Sequence, residues 1–248
     1  MPYAIAHPAA AIPLHRLLGR HSVPSALVIG AMVPDAWYLI PELTRPDTHR
    51  AGGVLLYCLP YGLLAYLVFH ELLKRPLLDL APPRLARQLR QWTCDGLPRV
   101  SWLAVIASLL AGAISHQAWD AFTHQGVLTR TLPFLGVTLL EWHGYALRLY
   151  VFLQHLSTLA GTAYLLWWLR RRLAYGLSTP ETGWPRAGIA LFILALPLVV
   201  FVASALSATG TTLPELRAAV RVAAVNGALA FGLALLAYSL VVESATPQ

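Results

Sequence analysis

The stretch VSWLAVIASLLAGAISHQAWD, residues 100–120, decides the fold of this chain. It opens with an apolar run from Val100 to Ile114, which is too short by itself to cross a hydrocarbon layer about 30 Å thick. If the helix continues through His116 and Asp120, it reaches close to that thickness at about 1.5 Å per residue. The stretch therefore predicts a membrane-spanning helix that carries a histidine and an aspartate in its last turns.

The composition of the 248 residues also indicates a membrane protein. Hydrophobic residues make up 57% of the chain and charged residues 12%, whereas about 25% of the residues in soluble domains are charged. Only helices satisfy their own backbone amides in lipid, and four more apolar blocks are long enough to span: residues 53–73, 149–168, 187–206 and 218–242. We therefore predict an all-α polytopic bundle with about five transmembrane helices.

The first 52 residues precede these spans and contain two short predicted helices. Prolines open both helices, at Pro8–Gly19 and Pro24–Met32, and neither is long enough to cross the bilayer. We predict that they are interfacial or re-entrant, and that the segment stays in the mature chain because it lacks a cleavable signal pattern. The expected organisation is one integral membrane domain over residues 1–248, with short helices in 1–52, the bundle in 53–242 and a tail in 243–248.

The basic residues favour one orientation in the membrane. The formal net charge is +7, and residues 74–99 and 170–186 hold ten of the 18 Lys and Arg residues. By the positive-inside rule these two loops face the cytoplasm, and residues 1–52 and 120–148 lie on the outer side. No basic run interleaved with aromatic residues is present outside the loops, so we expect membrane lipid, and not nucleic acid, as the partner. Cys58 and Cys94 have no metal-binding spacing and are predicted to be bystanders.

The polar residues at the end of the 100–120 stretch predict a metal site. Residues four apart are neighbours on a helix, so His116, Asp120 and, if the helix persists, His124 share one face. The predicted topology brings further candidates to the same side of the membrane: His7, Asp35, His49 and His155. Neutral imidazoles and carboxylates bind zinc, manganese and iron, and an aspartate among several histidines can bridge two ions. A stripe of Ser108 and Gly112 leads along the helix to His116.

A structural role is the alternative interpretation of each residue taken alone. A single histidine at a helix end, or an aspartate in a Pro-Asp turn, usually serves the fold. Ionisable groups at membrane depth are costly, however, and they favour a functional interpretation of His116 and Asp120. Arg50, which follows His49, and Arg130 are the candidates for binding a substrate phosphate.

Several short motifs occur in a characteristic order along the chain. They are HPA at residues 7–9, PD at 34–35, THR at 48–50, SHxxxDxFT at 115–123 and QHxST at 154–158. In this order they resemble the bacterial domain-of-unknown-function family 4184 over essentially the whole chain. More distantly, the chain is similar to membrane-bound metal-dependent hydrolases and, through the His-x-x-x-Asp helix motif, to zinc-dependent phospholipases C.

The wider resemblance implies metal ligands at the residues that match its pattern, which are His7, Asp35, His49, His116 and Asp120. Two places depart from that pattern. Trp37 stands where a second acidic residue is usual after the Pro-Asp, and residues 51–54 replace a Thr-His-Ser. The metal site is then either smaller or completed by His124 and His155. The resemblance also implies a multi-pass protein of the bacterial cytoplasmic membrane.

The first functional hypothesis is a membrane-embedded metal-dependent hydrolase that acts on a lipid or lipid-linked phosphoester or other ester. His116 and Asp120 would be the catalytic pair, and the cofactor would be a divalent transition metal, with zinc favoured over manganese or iron. No Gly-x-Ser-x-Gly motif offers a serine nucleophile instead. The second hypothesis is a non-enzymatic metal-binding protein, either a sensor or a transport component. The third is a structural polar network that holds the outer loops together.

Overall fold

The computed structural model describes residues 4–39, 47–90, 97, 99–142, 145–174, 186–207 and 212–245, and most of them are helical, as predicted. The α-helices of the first half are α1 (Ala11–Leu18), α2 (Pro24–Met32), α3 (Val54–Leu80), α4 (Pro83–Arg90) and α5 (Trp102–Thr123). Those of the second half are α6 (Val127–Thr131), α7 (Leu149–Ala174), α8 (Ala187–Leu206) and α9 (Leu213–Ala245). Short 3-10 segments lie at Ala4–Ala10, Gly19–His21, Val33–Leu39 and Pro133–Gly136.

Four described segments are long and apolar enough to cross a membrane: Val54–Leu80, Trp102–Thr131, Ala187–Leu206 and Ala218–Val242. They correspond to four of the five predicted spans and confirm that these segments are helices of sufficient length and hydropathy. The fifth predicted span, residues 149–168, forms part of the 26-residue helix α7. This helix is not among the four, and polar residues such as Gln154 and Thr158 lower its hydropathy. That fifth crossing, and the orientation that depends on it, stay predictions.

Local sequence accounts for the ends of the helices around the candidate site. Pro24 begins α2, where its fixed backbone angle suits the first turn and its missing amide donor is not needed. Ser101 caps α5 by accepting a hydrogen bond from the amide of Leu103 at 3.2 Å. The helix then runs through His116 and Asp120, as the sequence predicts, and ends at Thr123.

α3 is irregular along its length. Residues Val54–Cys58 and Val68–Leu73 form wider π-helical turns. The first of these turns precedes Pro60, which cannot donate to the carbonyl one turn before it, so a local widening of the helix is expected there. An antiparallel β-hairpin of β1 (Thr138–Trp142) and β2 (Tyr145–Arg148), which was not predicted from the sequence, follows α6.

The described residues divide into two compact units, and the single integral membrane domain over residues 1–248 stays a prediction. The first unit comprises the described parts of residues 1–37, 43–66 and 99–174, and the second those of 38–42, 67–98 and 175–248. In the second unit, α8 and α9 pair around a core of Ala190, Ile193 and Leu235, with Leu80 from the end of α3. All the candidate site residues that the sequence indicates belong to the first unit.

The first unit is organised by a very close crossing of α2 and α5. Gly30 of α2 lies against the backbone of Leu109, and a Cβ atom on Gly30 would overlap its carbonyl oxygen. Gly112 of α5 lies in the same way against the carbonyl of Leu27. Such pairs of small residues let helix backbones approach closely in membranes.

Ser108 fixes the same crossing at its other end. Its hydroxyl accepts a hydrogen bond from the amide of Val23 at 2.8 Å and donates one to the carbonyl of Ala104 at 2.7 Å. The amide of Val23 lies at the start of α2, where no helical carbonyl is available to it. The stripe of Ser108 and Gly112 is therefore packing surface for α2, not a polar path to the site.

Replacing Gly112 with alanine should destabilise the protein by about 1–3 kcal/mol, because the added methyl overlaps a backbone atom that cannot turn away. The matched control is Gly232→Ala in α9, where a Cβ atom meets nothing within 4 Å and alanine favours the helix. Thermal unfolding in detergent measures both variants. Equal melting temperatures for the two variants would contradict the crossing.

Candidate metal site

The α2–α5 crossing places His116 against the end of α2. The Nδ1 atom of His116 lies 2.8 Å from the carbonyl oxygen of Ala31. Because a carbonyl only accepts, Nδ1 carries a proton, and Nε2 is the nitrogen left to face Asp35 and Asp120. The histidine is almost completely buried, at 1% exposure. Backbone packing therefore sets both the tautomer and the direction of its free nitrogen.

Thr48 orients His49 in a comparable way. The Thr48 hydroxyl donates to the carbonyl of Pro34 at 2.9 Å, so it must accept at its 3.1 Å contact with the Nδ1 atom of His49. Nδ1 of His49 therefore carries a proton, and Nε2 is the nitrogen that faces the two carboxylates. The same threonine links His49 to the Pro34-Asp35 turn, because it holds the carbonyl immediately before Asp35.

Gln117 of α5 fixes the position of the loop that carries Thr48 and His49. Its amide nitrogen donates to the carbonyl of Thr48 at 2.8 Å. Gly53, five residues after Thr48, packs so tightly on the carbonyl of Asp47 that any side chain there would overlap it. The loop that carries His49 is therefore tied to the helix that carries His116.

These elements bring four groups together: Asp35, His49, His116 and Asp120. The Nε2 atom of His116 lies 3.3 Å from Oδ2 of Asp120 and 3.6 Å from Oδ1 of Asp35. The Nε2 atom of His49 lies 3.5 Å from each of the same two carboxylate oxygens. One ligand atom from each residue lies within 4.8 Å of all the others.

Two more histidines contact the other oxygen of Asp120. Oδ1 lies 3.6 Å from Nε2 of His7 and 3.3 Å from Nδ1 of His124. The ring of His7 stacks on the ring of His116, with the centroids 3.8 Å apart. Asp120 thus lies between two pairs of histidines, one pair at each carboxylate oxygen.

Several atoms of this cluster are buried without a hydrogen-bond partner. They are Nε2 of His7, His116 and His124, together with one oxygen of Asp35 and one of Asp120. Buried polar groups are nearly always paired, so five unpaired atoms in one place need an explanation. The separations of 3.3 to 3.6 Å are long for charge-assisted hydrogen bonds, which are about 2.7–2.9 Å.

A metal ion would explain both observations. Two ligand atoms that are each about 2.0–2.1 Å from a tetrahedral zinc ion lie about 3.3–3.4 Å apart, close to the spacings found here. The donor set of imidazole nitrogens and carboxylate oxygens suits zinc, manganese and iron alike. This buried cluster of aspartates and histidines can therefore hold a metal ion, and its residues do not select one metal.

The groups outside the membrane-spanning segments show how charge is distributed in the absence of an ion. Burial lowers the pKa of His7 to about 4, helped by the nearby His116. Contacts with Asp120 and Asp35 raise the pKa of His49 to about 9. Burial acts to raise the pKa of Asp35, but the contacts with His116 and His49 outweigh it and lower the pKa to about 2. His49 therefore carries a proton between two carboxylates near neutral pH.

The other residues that the sequence singles out lie differently. His155 does not join the cluster: its side chain is exposed on α7, and the buried residue at that point is its neighbour Gln154. Arg50 is exposed and pairs with Asp47 at 2.6 Å. Arg130 is also exposed, and its side chain donates to the carbonyl of Gly126 at 3.2 Å.

The residues that support the candidate ligands were not predicted from the sequence. Thr48 and Gln117 lie next to His49 and His116 in the sequence, but only the folded contacts show that their polar atoms position the cluster. A buried threonine beside a candidate histidine ligand was the available signal, because metal-binding histidines usually have a fixed partner on the other nitrogen.

The fold and the site define a nearly all-α protein whose described residues include four helices long and apolar enough to span a membrane, together with a buried histidine–aspartate cluster. The chain belongs to the DUF4184 family, a domain of unknown function, which it matches over residues 1–243. The family resemblance seen in the motifs is thereby confirmed. No curated protein and no solved structure matches the chain significantly.

Replacing Thr48 with valine should lower the affinity for zinc by about 10- to 100-fold, because His49 loses the hydroxyl that fixes its tautomer and ring orientation. Thr48→Ser keeps the hydroxyl and should stay close to wild type. Competition with a chromogenic chelator measures both affinities. If the valine and serine variants bind zinc equally well, the hydroxyl has no such role.

Proposed function

We propose that the protein is an integral membrane metal-dependent hydrolase that cleaves a phosphoester or other ester in a lipid or lipid-linked substrate at the membrane surface. The observation that carries this proposal is the cluster of Asp35, His49, His116 and Asp120, with its metal-like spacings and unpaired atoms. When bound, a divalent transition metal supplies a Lewis acid and lowers the pKa of a coordinated water towards neutrality.

The candidate ligands differ in how far their side chains are exposed to solvent. The side chain of His116 is fully buried, whereas that of His49 is 35% exposed and that of Asp120 is 13% exposed. A structural metal site is usually closed by protein ligands, while a catalytic site keeps one position open. The partial exposure on the His49 side favours a site that admits water and a substrate.

The arrangement around Asp120 also fits two ions. One carboxylate oxygen faces His49 and His116, and the other faces His7 and His124. A carboxylate shared in this way suits a pair of ions that act on one ester, as in many two-metal hydrolases. Water would donate its oxygen to the phosphoryl or acyl group, and its proton would go to the departing alcohol.

Arg50 is the better placed of the two predicted phosphate-binding residues. It follows His49, and its side chain is 82% exposed in a surface pair with Asp47. Exposed ion pairs contribute little stability, so the guanidinium group can turn to a substrate phosphate at small cost. Arg130 remains the second candidate.

Metal content is the direct test of this site. Purified protein should contain about one or two equivalents of a transition metal, while His116→Ala and Asp120→Ala should lose it together with any lipid phosphoesterase activity. His155→Ala is the matched control and should retain both, because His155 is exposed and outside the cluster. Elemental mass spectrometry and a screen of phospholipids and lipid phosphates measure the two properties. An Asp120→Ala protein that is free of metal but still hydrolyses lipid phosphoesters would contradict the proposal.

Zinc binding should also release protons. Since the pKa of His49 is raised to about 9 in the metal-free protein, the ring must lose a proton before it can bind an ion near neutral pH. Deprotonation of His49 should therefore make the affinity for zinc rise about tenfold per pH unit at pH values below about 9. His7 contributes no such dependence near neutral pH, because its pKa is lowered to about 4.

Calorimetry in buffers of different ionisation enthalpy measures the number of protons released. His49→Gln should release fewer protons than wild type under the same conditions. A binding enthalpy that does not change with the buffer would mean that His49 is already neutral or is not a ligand.

A further inference from the structure

An open apolar groove lies beside the histidine–aspartate cluster, within the first unit. It is bounded by α1, α5 and α7 and has a volume of about 820 Å³. This volume lies within the range of about 300–1,000 Å³ that is usual for small-molecule sites. Its walls include Leu14 of α1, Phe122 of α5 and Leu153 of α7.

The groove offers almost no hydrogen-bonding capacity to a ligand. Its hydroxyl groups belong to Ser115, Ser157 and Thr123. Each of these donates to a backbone carbonyl of its own helix, at 2.7 Å, 3.1 Å and 3.2 Å respectively. The rest of the lining is aliphatic or aromatic, so a sugar, a nucleotide or a peptide backbone would leave polar groups unpaired here.

The exposed side chains that line the groove are large and apolar, which suits a lipid environment. Leu17 is 81% exposed, Phe122 50% and Leu156 49%. One wall is α5, part of a segment with the length and hydropathy of a membrane span. In a bilayer, these side chains would meet hydrocarbon chains rather than water.

The groove and the cluster share structural elements. Thr123 lines the groove, and its hydroxyl lies 3.1 Å from Nδ1 of His124. Ala10 lines the opposite wall and ends the 3-10 segment that carries His7. Along α5, the lining extends from Ser115 to Thr123, which is about 12 Å and close to the thickness of one leaflet, about 15 Å.

We propose that this groove holds one hydrocarbon chain of the substrate, so that the substrate is a membrane lipid whose head-group ester lies at the Asp120 cluster. The inference rests on the proposed hydrolase function for the role of the head group. The occupancy of the groove by a chain is testable independently of hydrolysis.

The experiment uses the full-length protein in nanodiscs with phosphatidic acid that carries a photoactivatable diazirine in one acyl chain. After irradiation, peptide mass spectrometry should locate the label on the α1, α5 and α7 walls. Ala160→Phe fills the groove from α7 and should reduce groove labelling about tenfold, which corresponds to the loss of roughly two methylene contacts. Ala163→Phe adds the same ring to an exposed position of α7 outside the groove and should not change the labelling.

A second filling variant protects the test from a folding failure. Ala118→Phe enters the same groove from α5, and unchanged metal content shows that the cluster has survived either substitution. Labelling that is spread over all lipid-facing helices and is unaffected by both filling variants would overturn the inference, because it would report only bulk lipid. The absence of lipid label from these walls would overturn it as well.

The two proposals fail in different ways. Asp120→Ala should keep the groove labelling of wild type, because the acyl chain does not contact the carboxylate. Groove labelling without any hydrolysis by the metal-loaded protein would support the chain site and overturn the hydrolase proposal alone. Hydrolysis of lipid esters that is unchanged in both filling variants would overturn the chain site alone.

Discussion

The candidate site depends on the close approach of two helix backbones at Gly30 and Gly112. A side chain at either position would force α2 and α5 apart, because a Cβ atom would overlap a carbonyl of the facing helix. The contact brings the carbonyl of Ala31 within 2.8 Å of His116 and so fixes the nitrogen that faces the cluster. Residues 108, 112, 116 and 120 lie four apart on α5, and the same stripe both packs and supplies ligands.

The polar cluster is costly to bury unless something binds it. Two carboxylates and four imidazoles lie among apolar helices, and several of their atoms have no partner. In the absence of an ion, a proton on His49 partly balances Asp35 and Asp120, as its raised pKa indicates. A divalent cation would replace that proton and satisfy the unpaired atoms together. The supporting contacts from Thr48, Gln117 and Ala31 would then act as the outer shell of the site.

Much of this arrangement is predictable from the sequence, because hydropathy and helical spacing are local properties. The continuation of α5 through His116 and Asp120 follows from the span length that a bilayer demands. The grouping of His7, Asp35 and His49 follows from topology together with the motif order. The exposed position of His155, outside the cluster, does not follow in this way. Topology predicts which end of a helix a residue occupies, but not which way the helix is rotated.

Other features depend on contacts between distant residues. Ser108 and Gly112 look like a polar stripe in the sequence, and only the position of α2 shows that they are packing residues. The hydroxyl of Thr48 orients His49 only because it donates to the carbonyl of Pro34, which is distant in sequence but adjacent in the fold. The hairpin after α6 was missed because its residues, 138–148, show neither a strong alternation nor a recognisable turn signal.

The six groups of the cluster all come from residues 7–124, the first half of the chain. Chains are made from the amino terminus, and their early parts begin to fold before the rest is synthesised. The ribosome therefore releases every ligand before it makes α8 and α9. An ion that binds the nascent chain at that stage would stabilise the α2–α5 crossing while the last two helices are still being synthesised, so metal supply would influence biogenesis as well as the mature protein.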